Sequence, residues 1–232
     1  MAEAGRHKLQ VEPLETTASL KSAAYAALKQ AIAEMDVYGQ SEEVRLDEKQ
    51  LCRALGVSRT PIREAMALLE QEGFVRSQPR RGIFVARKSK AEIVETIEVW
   101  AALEGMAARL AAERATDEEL ESIARSFDEF STDSVNEHLD AYSDANVRFH
   151  QAIIRASGCE LIGELVENIV MHTRSVRRIA MRSEGRAEQS LAEHREIIQA
   201  LKDRDGGLAE CLVREHNLGL ATHVEENYDD LI

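Results

Sequence analysis

Apolar residues return every three or four positions through most of this chain, which predicts a mainly helical protein. Leu20, Ala24, Ala27, Leu28, Ala31 and Ile32 mark one stripe of a first helix, and the segment DVYGQSEE then makes a turn. Leu46, Leu51 and Leu55 mark a second helix from about Leu46, with Gly56 supplying the sharp turn that follows and Val57 plugging the corner. Ile62, Ala65, Met66 and Leu69 form the apolar face of a third. Thr60 before Pro61 gives that helix a hydroxyl cap and a proline at its first position, and Gly73 ends it. FVRS and GIFVA are then two short β-prone segments around Gln78, Pro79, Arg80, Arg81 and Gly82, which reads as a hairpin with a basic tip. Two steeply crossed helices followed by a hairpin make a winged helix-turn-helix.

From Ala91 onward the pattern is helical only. Ile93, Ile97, Trp100, Ala101, Leu103, Glu104, Ala107, Ala108 and Leu110 to Ala112 trace a long helix ending near Arg114. Thr116 with Glu119 is a capping box, opening a helix to about Phe130. A third helix covers about Ser134 to Ala156, with Gly158 as its stop, and a fourth covers about Glu160 to Met181 on a stripe of Leu161, Leu165, Ile169, His172 and Val176. Ser183 to Arg186 breaks the pattern; helices over about Ala187–Asp203 and Leu208–Glu226 follow, with Gly206 and Gly207 between them. The expected fold is therefore mainly α, an N-terminal winged helix-turn-helix with a small β-hairpin wing joined to an all-α antiparallel bundle of about six helices. Residues 1–18 lack periodicity and read as a flexible tail, 19–86 as the winged domain, 87–90 as a short charged linker, and 91–232 as a helical domain for effector binding and dimerisation.

Charge separates the two halves. Residues 1–88 carry 14 basic and 12 acidic side chains, whereas 89–232 carry 15 and 30. Within the first half, Lys49 to Lys88 holds nine Lys or Arg against three Glu, a local +6 in a chain whose total is −13. A basic island in an acidic protein calls for an acidic partner, and nucleic acid phosphate fits because its neutralisation releases condensed counterions. Arg59, Thr60 and Arg63 lie at the N-terminal end of the third helix, off its apolar face, where a recognition helix carries its contacts. The acidic half would be repelled by DNA and suits assembly or ligand sensing. Cys52, Cys159 and Cys211 are far apart with no C-x-x-C pair, as expected of reduced, buried thiols in a cytoplasmic protein. No apolar run approaches membrane-spanning length, and the first residues lack a signal-peptide core, so no membrane partner is expected.

The string LGVSRTPIREAMALLEQEGFV followed by RRGIFV resembles the DNA-binding domain of GntR-family bacterial transcription regulators. The resemblance implies operator contacts from Lys49, Ser58, Arg59, Thr60 and Arg63, with Arg81 and Gly82 in the wing beside Arg80 at its basic tip. Lys49 stands where relatives often have Arg, which keeps the charge but loses the bidentate fork. The Pro-Gly pair usual before the second helix is missing, so a different loop is expected.

In the helical half, Asn146 and His150 are four apart in NVRFH and so share a helix face, His194 opens HREIIQAL, and His216 sits midway along the last helix. Three imidazoles and one oxygen from three helices make a reasonable shell for Zn²⁺, Ni²⁺ or Mn²⁺, although the spacing alone is equally that of surface or core histidines. WAALEGMAARLAA, NVRFHQAII, EHREIIQAL and the final helix resemble, in order and spacing, the FCD ligand-binding domain of the FadR-type branch, and six helices its shorter VanR-like subgroup. The resemblance implies a divalent metal on Asn146, His150, His194 and His216, and no organic cofactor. Many relatives have Asp where this chain has Asn146, and a neutral amide leaves such a site one charge more positive. A cation with an open position attracts a carboxylate, which Arg174, Arg177 and Arg178 on the fourth helix, or Arg148 on the third, can clamp at its other end. Trp100 stands where many relatives carry Arg, which removes a charge and implies an effector less polar than a simple dicarboxylate.

These features predict a homodimeric DNA-binding regulator, most often a repressor in this family, gripping a palindromic operator under control of a small carboxylate metabolite. A metal sensor in which the cation is itself the signal is the alternative. A metalloenzyme fused to a DNA reader is disfavoured, since no acidic base is spaced as in H-E-x-x-H, and Glu193 beside His194 faces away by roughly 100° on a helix.

Overall fold

The structure, a computed structural model, describes residues 20–38, 42–132 and 134–228. The expected tail at 1–18 and the middle of the DVYGQSEE turn, 39–41, lie outside the described residues. The N-terminal unit runs α1 (Leu20–Glu34), β1 (Arg45–Leu46), α2 (Glu48–Leu55), α3 (Arg59–Gln71), β2 (Val75–Gln78) and β3 (Gly82–Val85). Its sheet has three strands rather than a lone hairpin. The order is β1-β3-β2, with Leu46 opposite Ile83 and Gln78 opposite Gly82 in antiparallel pairs. A two-residue strand leaves almost no period to read, and Leu46, expected to open α2, belongs to it. α2 begins later because the Asp47 carboxylate accepts from the Lys49 and Gln50 backbone N–H groups at 2.7 and 3.0 Å. α3 likewise starts before the expected Thr60-Pro61, at Arg59, with Ser58 as its N-cap. In α1 the buried stripe narrows to Ala24, Leu28 and Ile32, with Lys29 and Ala33 beside it, whereas Leu20, Ala27 and Ala31 are exposed.

Six α-helices follow among the described residues: α4 (Lys90–Arg114), α5 (Asp117–Ala124), α6 (Leu139–Ala156), α7 (Glu160–Ala180), α8 (Arg186–Lys202) and α9 (Gly206–Asn227). Capping boxes open α4 at Ser89/Glu92 and α5 at Thr116/Glu119. α5 is shorter than expected because the chain tightens into a 3-10 turn at Arg125–Phe127, and a second such turn, Val135–His138, precedes α6. α4 and α9 lie side by side and antiparallel. A Cβ on Gly105 would sit 3.1 Å from the Glu210 carbonyl oxygen, and one on Gly206 would sit 3.2 Å from that of Arg109. Glycine at these two contacts is what lets the backbones approach, and the rest of the bundle wraps the pair.

The buried face of α7 differs from the expected stripe. Leu161 and Leu165 are 62% and 51% exposed; of the expected stripe Val176 alone is buried, and Ile162, Val166, Val170, Thr173 and Arg177 point inward with it. The cause is that α7 serves two neighbours. Its inner face closes the bundle, while Met171 and His172 turn toward the winged unit, Met171 packing on that unit's core. His172 stacks on Phe74 at 4.0 Å between ring centroids and bonds the Glu72 carbonyl through Nε2 at 2.9 Å. Lys29, 7% exposed, ties the junction by reaching Tyr25 Oη, Glu72 and Asn168 Oδ1 at 2.7, 2.9 and 2.6 Å. The three cysteines are free and half-buried, less enclosed than the sequence suggested.

The winged unit has its own core around Ile62, Ala65, Met66 and Leu69. Leu69 is fully buried. Leu69→Ala is therefore expected to cost about 2–5 kcal/mol, read as a lowered urea midpoint of the winged unit by circular dichroism.

Candidate nucleic-acid interface and histidine centre

At the winged end, Asp47 caps α2 through its carboxylate, while Ser58 holds the N-cap position of α3 without a side-chain capping bond, and Lys49 and Arg59 stand on these neighbouring helix starts. Lys49, Ser58, Arg59, Thr60, Arg63, Arg80 and Arg81 are all exposed, while Gly82 is half-buried. Lys49, Arg59 and Gly82 line one cleft with Arg45, Leu46 and Ile83, between the helix starts and the wing. Arg45 is a residue that sequence reasoning missed. Its guanidinium lies against Gly82, where a Cβ would come within 2.9 Å of Arg45 Nε. Gly82, at φ 116°, thus serves the wing by leaving room for a cation. Arg80 is held at the wing tip with φ 65°, unusual for a side chain of its size. Two of the arginines already have carboxylate partners: Arg63 bonds Glu48 at 3.0 Å, and Arg81 lies 3.6 Å from Glu43, which also pairs with Arg76.

In the helical domain, α6, α8 and α9 bring His150, His194 and His216 together, all buried, with one ligand nitrogen from each ring within 4.8 Å of the others. Each ring is held through Nδ1. His150 Nδ1 lies 2.5 Å from Glu104 Oε1, His194 Nδ1 lies 3.0 Å from Tyr142 Oη, and His216 Nδ1 lies 2.6 Å from Glu193 Oε2. Tyr142 donates its hydroxyl proton to Ser190, so it accepts from His194. The two carboxylates are acceptors likewise. All three rings are therefore assigned as Nδ1–H tautomers presenting the Nε2 lone pair. The Nε2 atoms of His150 and His194 are buried with no hydrogen-bond partner. Oriented imidazoles with carboxylate or hydroxyl partners behind them and free nitrogens in front are what a transition-metal cation needs. The residues present fit one.

Glu104 is a buried carboxylate in the apolar stripe of α4, and Asn217 donates to its second oxygen at 2.7 Å. Burial pushes Glu104 up to about 7 against the pull of Asn217 and Arg177. Burial also holds His150 and His194 well below the ordinary imidazole value, and Arg177 adds to both effects. His216 is lowered by burial too, with Glu193 opposing. Glu193 does face away from His194, as the helical geometry predicts, but it reaches His216 on the next helix.

Asn146 stands beside this cluster on α6, 3% exposed, with its Oδ1 accepting from Arg177 Nη2 at 2.6 Å. Arg177 is buried, its guanidinium 4.6 Å from the centre of the Trp100 ring, and burial brings it down to about 10. Trp100 is fully buried and meets His150 edge-on at 5.2 Å. Arg174 and Arg178, also expected at an effector, line one small cleft with Asn146 and Arg177, and Arg148 does not. Arg174 lies 3.6 Å from Asp144, Arg178 donates to the Glu34 carbonyl of the winged unit, and Arg148 is exposed on the opposite side of α6 from the buried stripe. Of the set Arg148, Arg174, Arg177 and Arg178, only Arg177 is buried; Arg174 and Arg178 share its cleft from α7 but stay half-buried, and Arg178 reaches the domain junction.

Residues 20–85 match the model of the bacterial regulatory proteins of the gntR family, and residues 95–218 match the FCD domain. The chain belongs to the GntR family. This GntR-family regulator is 28% identical over 171 residues to the HTH-type transcriptional repressor RspR of Escherichia coli (strain K12), a match covering 74% of this chain and 75% of that one. It is 30% identical over 173 residues to the HTH-type transcriptional regulator YdhC of Bacillus subtilis (strain 168), covering 74% and 77%. Among solved structures, E. coli McbR/YncC shares the fold, with a TM-score of 0.74 at 21% identity over 91% of this chain and 99% of that one. The GntR-family regulator with its FCD domain stands in the FadR-type branch, whose matched members are transcription regulators rather than enzymes, repressors among them. No described helix is long and apolar enough to cross a membrane.

Two outcomes test the geometry. With a duplex selected from random DNA, Arg59→Ala is expected to lose about 1–3 kcal/mol of specific binding in a gel shift and to relax the sequence preference. In metal-free protein, the histidines bind protons less tightly folded than unfolded, so stability falls as pH drops below their ordinary value of 6.5. Glu104 binds its proton more tightly when folded, so its contribution runs the other way between 4.5 and about 7. Glu104→Gln is therefore expected to steepen the rise of the urea midpoint between pH 5 and 7.

Proposed function

We propose that this regulator is a homodimeric repressor whose operator affinity is set by a small carboxylate metabolite bound, through a divalent cation, at His150, His194 and His216. The observation that carries the reading is the pair of buried, unpartnered Nε2 atoms on His150 and His194, with the third ring 4.6 Å from His194 between centroids. An imidazole set of this kind suits Zn²⁺ or Ni²⁺ better than a hard cation, with Mn²⁺ as the third candidate. Asn146 completes the set, its oxygen keeping a second lone pair beyond the one given to Arg177. A cation there supplies Lewis acidity and an open position for a carboxylate. This chain's own residues do the rest: Glu104, Tyr142 and Glu193 orient the rings, and Trp100 and Arg177 wall the site.

α7 supports a route from site to operator, since Arg177 on its inner face and Asn168 and His172 on its outer face belong to one rigid element. An effector acts only by its differential affinity for two arrangements of the wings. Two half-sites in a palindrome require two readers, and the exposed Val99 and Met106, two turns apart on α4, offer apolar surface to a second copy. The six-helix FCD unit supports placement in the VanR-like subgroup.

The test combines metal analysis with calorimetry. Purified protein is expected to take up one Zn²⁺ per chain, His150→Ala to abolish that uptake, and Glu104→Gln to weaken it about 10–100-fold. An organic acid that raises the melting temperature of the zinc-loaded protein is expected to change operator affinity in a gel shift. Zinc uptake unchanged in His150→Ala would refute the assignment.

A further inference from the structure

The two residues of β1 have opposite jobs. Leu46, and Val44 just before the strand, pack on the core of the winged unit, so the period of two turns Arg45 outward. Its backbone is fixed there, since Arg45 pairs with Phe84 and the Val44 carbonyl accepts from the Val85 N–H at 2.9 Å. From that anchor the side chain reaches toward the root of the wing. A Cβ on Gly82 would lie 2.9, 3.3 and 3.5 Å from Arg45 Nε, Nη2 and Cζ, so the guanidinium rests on the glycine itself.

The cations around Arg45 fall into two groups. Arg63 is held by Glu48, and Arg76 and Arg81 by Glu43. Arg45, Lys49 and Arg59, which line one cleft, make no ion pair among the described residues. Both carboxylates of that cleft are engaged, Glu48 with Arg63 and Asp47 with the backbone N–H groups of Lys49 and Gln50. Asp47 is held below the usual carboxylate range chiefly by its bond to Gln50, with Arg45 adding least. Three uncompensated cations at one opening call for a polyanion, and their positions decide which of its groups each one meets. Arg59 opens the helix that enters the major groove, and Arg80 and Arg81 stand at the wing tip. Arg45 lies between them, over the ridge of phosphates that borders the groove.

We infer that Arg45 binds a backbone phosphate of the operator, and that Gly82 lets its guanidinium lie across the root of the wing to do so. Such a contact fixes how α3 and the wing seat on the duplex without reading sequence itself. The inference rests on the winged unit as a DNA reader and is independent of the effector reading.

A duplex selected from random DNA and an unrelated duplex are each titrated with the full-length protein at several salt concentrations. Arg45→Ala is expected to bind both more weakly by the same factor, with a log–log salt slope shallower by about 0.9 per chain bound. The gap between the two proteins then narrows about 3.5-fold per chain from about 50 to about 200 mM salt. Arg45→Lys is expected to restore the slope, and a repeat selection with Arg45→Ala to return the same sequence. When the phosphates are replaced one at a time by neutral methylphosphonates, one position per chain is expected to weaken the unmodified protein and not Arg45→Ala. Gly82→Ala strains the wing at φ 116° in either background, yet it is expected to cost less in Arg45→Ala than in the unmodified chain. An unchanged slope with the preference lost at one base pair would make Arg45 a base reader and overturn the inference, as would equal binding by Arg45→Ala and the unmodified protein. Additive losses for the two substitutions would overturn the role given to Gly82. An unmodified protein that binds no duplex would overturn the DNA reader, and Arg45 with it. Should Arg45→Ala fail to fold by circular dichroism, Arg45→Gln, which keeps the apolar stem, takes its place in every comparison.

Discussion

The guanidinium of Arg177 has almost no access to water, and the protein pairs it only in part, with the Asn146 amide and the face of Trp100. A charge that has left water needs a counter-charge or a set of strong hydrogen bonds, and here it receives a neutral oxygen and a ring. Much of the surrounding architecture follows. Trp100 must be buried on α4 to meet it, Asn146 must face inward on α6, and α7 must present Arg177 to the bundle at the expense of the regular stripe begun by Leu161 and Leu165. The close pairing of α4 with α9 at Gly105 and Gly206 then brings Glu104 to Asn217 and sets His216 beside His150.

The same helix is the floor of the winged unit. Lys29 is ringed by Tyr25, Glu72 and Asn168, and His172 is clamped between Phe74 and the Glu72 carbonyl. These contacts are short and largely shielded from solvent. A shift or rotation of α7 therefore cannot be absorbed as a loose surface rearrangement, because it moves the C-terminal end of α3 with it. The reader and the buried cluster share a rigid element.

How much of this was legible follows the range of each signal. The winged motif is local, a run of about forty residues whose helices, turn and hairpin are each encoded by near neighbours, so it could be read almost whole. β1 could not, since two residues hold no period and its partner Ile83 is far along the chain, and with it Arg45 was missed. Asn146 and His150 are one helical turn apart and announced themselves, whereas His194 and His216 became a site only through the packing of α8 on α9. Glu104 carried a faint signal as a carboxylate inside an apolar stripe. His194, the partner of Tyr142, and His216, the partner of Glu193, lie on other helices, and nothing within the helices of Tyr142 and Glu193 indicates them.

The carboxylates on the reading surface carry one more consequence. Glu48 and Glu43 sit on Arg63 and Arg81 much as phosphate oxygens would. Random duplex must displace them, and the acidic helical half repels it besides, so only a sequence that rewards Arg59 and the wing with base contacts makes the exchange worthwhile. The protein holds built-in competitors for its own cations. Its discrimination between operator and bulk chromosome is set as much by what it refuses as by what it grips.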